Sequence, residues 1–276
     1  MSEQAKQVQM TYGSIDCLKF RTIWISDLHL GTAGCQAEAV LDFLMHTESE
    51  FLYLVGDIID GWHLKKRWYW PQLHNDVIQK ILRRARKGSK VFYIPGNHDE
   101  VARDFCGLSF GDVLVSNQEI HITANGKRYL VLHGDQFDAV MGYAKWLAKL
   151  GDVAYTFILA LNTYLNKVRR YFGFSYWSLS AYLKYKVKNA VEYISSYEEF
   201  IAREARRYQV DGVICGHIHH AEMRVIGASE YYNDGDWVES CTALVEDFEG
   251  NLSVICWPKQ KTALLDNNHN EDPDHH

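Results

Sequence analysis

Between Phe20 and His219 a short, strongly apolar run stops five times at a cluster of Asp, His or Asn. The runs end as IWISDLHLG, FLYLVGD, KVFYIPGNHD, RYLVLHGD and VICGHIHH. Runs of this length, rich in β-branched and aromatic residues, favour strands over helices. Helical patterns at 37–46 and 72–87 separate the first three, the second closing on Arg and Lys before Gly88 as a helix C-terminus prefers. Strands alternating with helices select an α/β sheet, and ligands collect beyond the C-terminal ends of such strands. The repeated pattern therefore predicts one site assembled from several strand ends.

Two further short strands, Glu119–Thr123 and Arg128–Leu132, flank Asn125-Gly126, a strong hairpin signal. From 139 to 208 the pattern changes to continuous helix without a proline, and strands resume at Val210–Cys215. More short strands are expected at 221–226, 230–233, 241–247 and 251–257. The expected organisation is a core of 17–138 and 209–258, an inserted helical cap at 139–208, and flexible ends at 1–16 and 259–276.

Composition narrows the possibilities. A hydrophobic fraction of 47% over 276 residues is ample for a buried core. The net charge of −6 argues against general nucleic-acid binding, and no nucleic-acid partner is expected. Six cysteines contain no CxxC pair, and MSEQAKQVQM lacks an apolar signal region. Free, mostly buried thiols in a reducing compartment are the expectation. No apolar run reaches the ~18–20 residues of a membrane span. The sequence thus points to a cytoplasmic protein, or one peripheral at a membrane.

The clusters have the composition of a two-cation site. Two cations ~3.5–4 Å apart need several nitrogen and oxygen donors and one carboxylate able to bridge them. Asp27 and His29 supply donors at i and i+2, which extended backbone would place on one side. Asp57 is the natural bridge, Asn97 offers a carbonyl oxygen that can also orient a phosphate, and His133 adds a nitrogen. His217 and His219 repeat the i, i+2 spacing. His98, outside this set, is suited to act as general acid, with Asp99 as the group to hold its ring. Asp135 is expected to orient His133. Mixed nitrogen and oxygen donors without thiolate suit Mn, Fe or Zn. Each motif alone is weak, since DLH or GD more often marks a turn, whereas all five in this order are not.

The order Asp27-Leu28-His29, Gly56-Asp57, Gly96-Asn97-His98-Asp99, His133-Gly134-Asp135, Gly216-His217-Ile218-His219 resembles the calcineurin-like metallophosphoesterases over about 20–257. That resemblance implies a four-layer αββα sandwich and attack of a metal-bridging hydroxide on phosphorus. It implies one metal held by Asp27, His29, Asp57 and His219, the other by Asp57, Asn97, His133 and His217, and it favours Mn²⁺ for both.

Within the superfamily, ISDLHLG, LVGDIIDGW, HGDQFD and a helical insertion before GHIH look like the UDP-2,3-diacylglucosamine pyrophosphatases of lipid A biosynthesis. Those enzymes release UMP and 2,3-diacylglucosamine 1-phosphate at the inner face of a bacterial membrane. In that group the residue after the motif Asn is Arg, where this chain has His98. The insertion interleaves aromatics with Arg169, Arg170, Lys184 and Lys188, a cap suited to acyl chains, diphosphate or an anionic membrane, and equally to an ordinary packed helical hairpin. Trp62, Trp68, Tyr69 and Trp70 form a second aromatic cluster near Asp57. Three alternatives stand beside this: a phosphodiesterase or phosphomonoesterase of another nucleotide or lipid-linked phosphoester, a protein phosphatase, disfavoured because the cap would hinder a folded partner, and a non-catalytic membrane-binding scaffold.

Overall fold

The computed structural model describes residues 17–137 and 198–270. The chain divides into two compact units, Met1–Asp135 with Ala205–His276, and Gln136–Glu204. All twelve described strands belong to the first. Most of the expected cap, including Arg169, Arg170, Lys184 and Lys188, and the expected flexible segment 1–16 lie outside the described residues.

The first unit is an α/β sandwich of two mixed sheets. In the larger, β1 (Leu18–Ile25), β2 (Thr47–Val55), β3 (Lys90–Ile94) and β5 (Val113–Val115) run parallel. Antiparallel β11 (Thr242–Glu246) and β12 (Leu252–Cys256) extend one edge, and β4 (Ser109–Phe110) the other. The smaller sheet has the order β6 (Glu119–Ile122), β7 (Arg128–Val131), β8 (Gly212–Cys215), β10 (Ser229–Asn233), β9 (Glu222–Ile226). Its β7, β8 and β10 are parallel.

Both faces of β1 and β2 are covered, which is why their sequences read as continuous apolar runs rather than alternating ones. Ile23, Ile25, Leu52 and Leu54 face a core shared with Val40, Phe43 and Leu44 of α1 (Ala37–Met45) and Val77 and Ile81 of α3 (Gln72–Arg86). Trp24, Tyr53 and Val55 point the other way, into a core shared with Tyr129, Val131 and Ile214 of the smaller sheet. The parallel strand ends of both sheets thereby meet above one inter-sheet core.

Several elements depart from the sequence reading. Gly61–Lys66 forms a short helix, α2, capped by Asp60, whose carboxylate accepts the His63 N–H at 2.7 Å. Residues 198–208 form α4, as the helical pattern up to 208 predicts. Of the flexible end expected at 259–276, the part up to Asn270 is instead helical, α5 (Trp257–Asn270), and 271–276 lie outside the described residues. Trp257 is buried against Phe43, its indole N–H donates to Asp42 at 2.8 Å, and Lys261 pairs with the same carboxylate. One buried tryptophan anchors a segment whose composition reads as solvated. The cysteines are free, but only Cys215 and Cys241 are buried, so the expectation of mostly buried thiols is also corrected.

Candidate metal centre

Each donor named from the sequence stands just beyond a strand. Asp27 and His29 follow β1, Asp57 follows β2, Asn97 follows β3, His133 follows β7, and His217 and His219 follow β8. The backbone there is not extended, which corrects the i, i+2 argument. Asp27, His29, Asp57, His217 and His219 all have φ between 50° and 70°. Left-handed backbone costs a non-glycine residue ~1–2 kcal/mol, and such residues cluster at functional sites. Backbone pairing holds the conformation: Asp27 N–H donates to Gly56 C=O at 3.0 Å and His29 N–H to Asp57 C=O at 2.9 Å.

Motif glycines make room for the donors. A Cβ on Gly56, itself at φ 81°, would lie 2.1 Å from His133 Nδ1. One on Gly96 would lie 2.3 Å from Asp57 Oδ1.

The side chains converge in two groups, Asp27 with His29 and His219, and Asp57 with His133 and His217; donor atoms within each lie within 4.8 Å of one another. His29 Nε2 lies 3.8 Å from Asp27 Oδ1 and 3.9 Å from Asp57 Oδ2, so the two groups adjoin. His219 Nε2 is 2.9 Å from Asp27 Oδ1. His133 donates its Nδ1–H to the Val55 carbonyl at 2.8 Å, which leaves Nε2 facing Asp57 Oδ2 at 3.5 Å.

This arrangement has no Lys or Arg beside its carboxylates among the described residues. Asp27 and Asp57 are both buried. Buried carboxylates without cationic partners are strongly unfavourable. Burial pushes the His133 imidazole down, yet the Asp57 and Asp27 carboxylates outweigh it and raise its pKa to about 10. Burial likewise opposes ionisation of Asp57, and His133 overcomes it, holding that carboxyl below its usual range. Asn97 Oδ1 and His133 Nε2 are buried with no hydrogen-bond partner. Buried carboxylates and imidazoles gathered in two adjoining groups, with an unpaired Asn97 Oδ1 at a further strand end, are the donor set of a divalent-metal site, and the residues fit two such ions.

Two expected supporting roles are corrected. Asp99 does not hold His98. Its carboxylate accepts from the backbone N–H groups of Gly96 at 2.5 Å and Ile58 at 2.9 Å and from the Tyr93 hydroxyl at 2.5 Å, tying the β2 and β3 loops together. Asp135 does not orient His133, whose Nδ1 is taken by Val55; it pairs instead with Arg103 at 2.6 Å. Both carboxylates have satisfied nearer donors.

The carboxylate facing His98 is Asp60, which the sequence reading missed. Its Oδ2 lies 3.0 Å from His98 Nδ1 and 3.2 Å from His29 Nδ1. One carboxylate therefore steers a donor and the expected acid together, while its other oxygen caps α2. The available signal was an Asp directly before a helical segment, an N-cap preference. With Nδ1 on Asp60, His98 presents Nε2 to the centre, 4.0 Å from Asp57 Oδ2, and Trp62 packs on its ring at 4.3 Å between centroids. Trp62 remains 42% exposed, so its other face is open to a ligand.

Comparison with known proteins agrees with this chemistry. A model of the calcineurin-like phosphoesterase family matches residues 20–221. The UDP-2,3-diacylglucosamine hydrolase of Neisseria gonorrhoeae is 24% identical over 249 residues, covering 86% of this chain and 98% of that protein. The UDP-2,3-diacylglucosamine hydrolase of Blochmanniella pennsylvanica is 28% identical over 116 residues, 41% of this chain and only 46% of that relative's length. Among solved structures, hypothetical protein PH1004 of Pyrococcus horikoshii covers 94% of this chain and 95% of its own at 11% identity, with a TM-score of 0.47. A family match across most of the chain, on top of paired carboxylate and imidazole groups at the strand ends, makes this chain a member of the calcineurin-like phosphoesterase family, a metal-dependent hydrolase of phosphoester bonds.

Proposed function

We propose that the chain hydrolyses the diphosphate of UDP-2,3-diacylglucosamine to UMP and 2,3-diacylglucosamine 1-phosphate. The observation that carries this is near-full-length similarity to a UDP-2,3-diacylglucosamine hydrolase, 98% of which is covered, in a chain that keeps all seven expected donors. Asp27, His29, Asp57 and His219 would hold one divalent ion and Asp57, Asn97, His133 and His217 the other, with Asp57 between them. Mn²⁺ is the proposed cation. Two such ions supply Lewis acidity toward the phosphoryl oxygens and a water acidic enough to ionise near neutral pH.

The chain's own residues supply orientation and a proton. Asn97 and His98 meet the phosphoryl group from the end of β3. Asp60 fixes His98 so that Nε2–H points at the leaving oxygen and donates to the charge developing there. Trp62, packed on His98 and half exposed, walls the leaving-group side. Arg169, Arg170, Lys184 and Lys188 of the cap are proposed to meet the diphosphate, and the enzyme to work in the cytoplasm at the inner face of a bacterial membrane.

His98, standing where the pyrophosphatase group carries Arg, favours a second reading: hydrolysis of a different nucleotide or lipid-linked phosphoester by the same centre. The discriminating experiment is hydrolysis by Mn²⁺-reconstituted enzyme of UDP-2,3-diacylglucosamine, of a UDP-sugar without acyl chains, and of a chromogenic phosphodiester. Faster UMP release from the acylated substrate is the expected result. Equal rates on the acylated and bare sugar nucleotides would remove the lipid substrate and leave the second reading.

A further inference from the structure

The turn Asn233–Trp237 touches both halves of the centre. On one side, Asn233 Nδ2 donates to the Gly216 carbonyl at 2.6 Å and the Asp234 N–H to the Cys215 carbonyl at 3.1 Å, holding the chain just before His217. On the other, the Trp237 N–H donates to the Asp27 carbonyl at 3.2 Å. Ser26 lies between. Its hydroxyl is 2.7 Å from Asp27 Oδ2, 2.7 Å from Asp234 Oδ1 and 3.1 Å from the Gly235 carbonyl.

Asp27 Oδ2 therefore has two protein partners, Ser26 Oγ and the His217 N–H at 2.7 Å. Asp27 Oδ1 is the oxygen turned toward His219 and His29. Ser26 and Asp234 are fully enclosed, at 1% and 0% exposure, so solvent cannot replace either contact. The enclosure is tight: a Cβ on Gly216 would lie 2.2 Å from Ser26 Oγ. Asp234 meets Asp27 through the Ser26 hydroxyl, which stands between the two carboxyl groups.

We infer that Ser26 and Asp234 are positioning residues, a relay that pins one oxygen of Asp27 so that the other is presented to a divalent cation. Partners that orient metal-binding side chains commonly set affinity by tenfold to a hundredfold. The inference rests on the metal-centre reading above. It adds that the ligand's aim is set from the turn after β10, by residues that touch neither cation nor substrate.

Mn²⁺ titration of the chelator-stripped protein by calorimetry tests this, with thermal melting in chelator as the check on folding. Wild-type protein is expected to bind two equivalents. Ser26→Ala and Asp234→Ala are expected to weaken one equivalent by about tenfold or more, whereas Asp234→Asn, whose amide N–H can donate to Ser26 Oγ and leave the single Ser26 proton for Asp27, restores it. Activity of Ser26→Ala should be low at limiting Mn²⁺ and recover at excess, with KM unchanged, a split that a general loss of packing would not produce. Should Asp234→Ala fail to fold, Ser26→Ala with Asp234→Asn carries the test. Wild-type affinity in Ser26→Ala, or an Asp234→Asn as weak as Asp234→Ala, overturns the relay. Absence of Mn²⁺ binding by the wild type overturns the metal-centre reading itself.

Discussion

Two buried acidic clusters lie in the same sandwich and are built on opposite terms. Between the sheets, Glu246 is fully buried and accepts from Arg21 at 2.8 Å, Thr22 at 2.5 Å, His121 at 2.9 Å and the Ala124 N–H at 2.7 Å. Burial pushes that carboxyl up, and its hydrogen bonds to His121 and Thr22 more than offset this. At the strand ends, Asp27 and Asp57 are as buried, yet among the described residues neither pairs with Arg or Lys, and Asn97 Oδ1 and His133 Nε2 have no hydrogen-bond partner. The difference separates structure from function. A carboxylate with a full complement of donors joins two sheets, and one left short of charge has a place kept for a cation.

Substitution should pull the two clusters apart. The largest effect is expected from Asp57→Asn: a loss of at least about 10³-fold in kcat/KM and of Mn²⁺ binding. Its chelated form should also melt lower than the wild type, because His133 loses the carboxylate that raises its pKa. An unchanged melting temperature would show that this pair adds nothing to the fold without cations. Glu246→Ala should spare the centre. It strands Arg21 and His121, costing about 3 kcal/mol by urea unfolding, while Mn²⁺ affinity stays unchanged. A change in affinity would show that the clusters are coupled.

A smaller effect is expected from Asp60→Asn, about tenfold in kcat, because one oxygen orients both His29 and His98. A similar loss confined to metal affinity would assign Asp60 to His29 alone. The smallest effect concerns acid. The folded pKa of Glu246 is depressed, so the stability it contributes is present above the unfolded value of ~4.3 and lost as pH falls through the folded one. Glu246→Gln should flatten that part of the stability curve below about pH 4.5. An unchanged acid limb would show that other carboxylates set it.

What could be read in advance follows from what local sequence encodes. The strands before Asp27, Asp57 and Asn97 were legible because apolar runs covered on both faces leave an unmistakable pattern. The seven candidate donors stood out because Asp, His and Asn at strand ends have few other reasons to gather. Asp60 was not, since a lone Asp in IIDGW reads as a turn, and its reach to His29 and His98 exists only after three loops close together. Asp99 and Asp135 were given wrong partners for the same reason: neighbours in sequence were taken for neighbours in space. Ser26 and Asp234 are 208 positions apart, and nothing local announces their contact. Helix α5 was hidden because one anchor, Trp257, outweighs a polar composition. Strand β4, with Phe110 exposed, is too short to show a period.

The left-handed backbone at Asp27, His29, Asp57, His217 and His219 also limits what can replace these residues. Asp, Asn and His are the side chains other than glycine that enter this conformation most readily, and they are also among the commonest metal donors. Two independent filters, one steric and one chemical, thus admit nearly the same small alphabet at each position. A β-branched residue fails both at once, and glycine passes only the first. Drift at these positions is therefore confined to exchanges such as Asp for Asn, which leave the loop intact while altering its charge. In this chain a single such exchange can disable the centre without unfolding the loops that carry it.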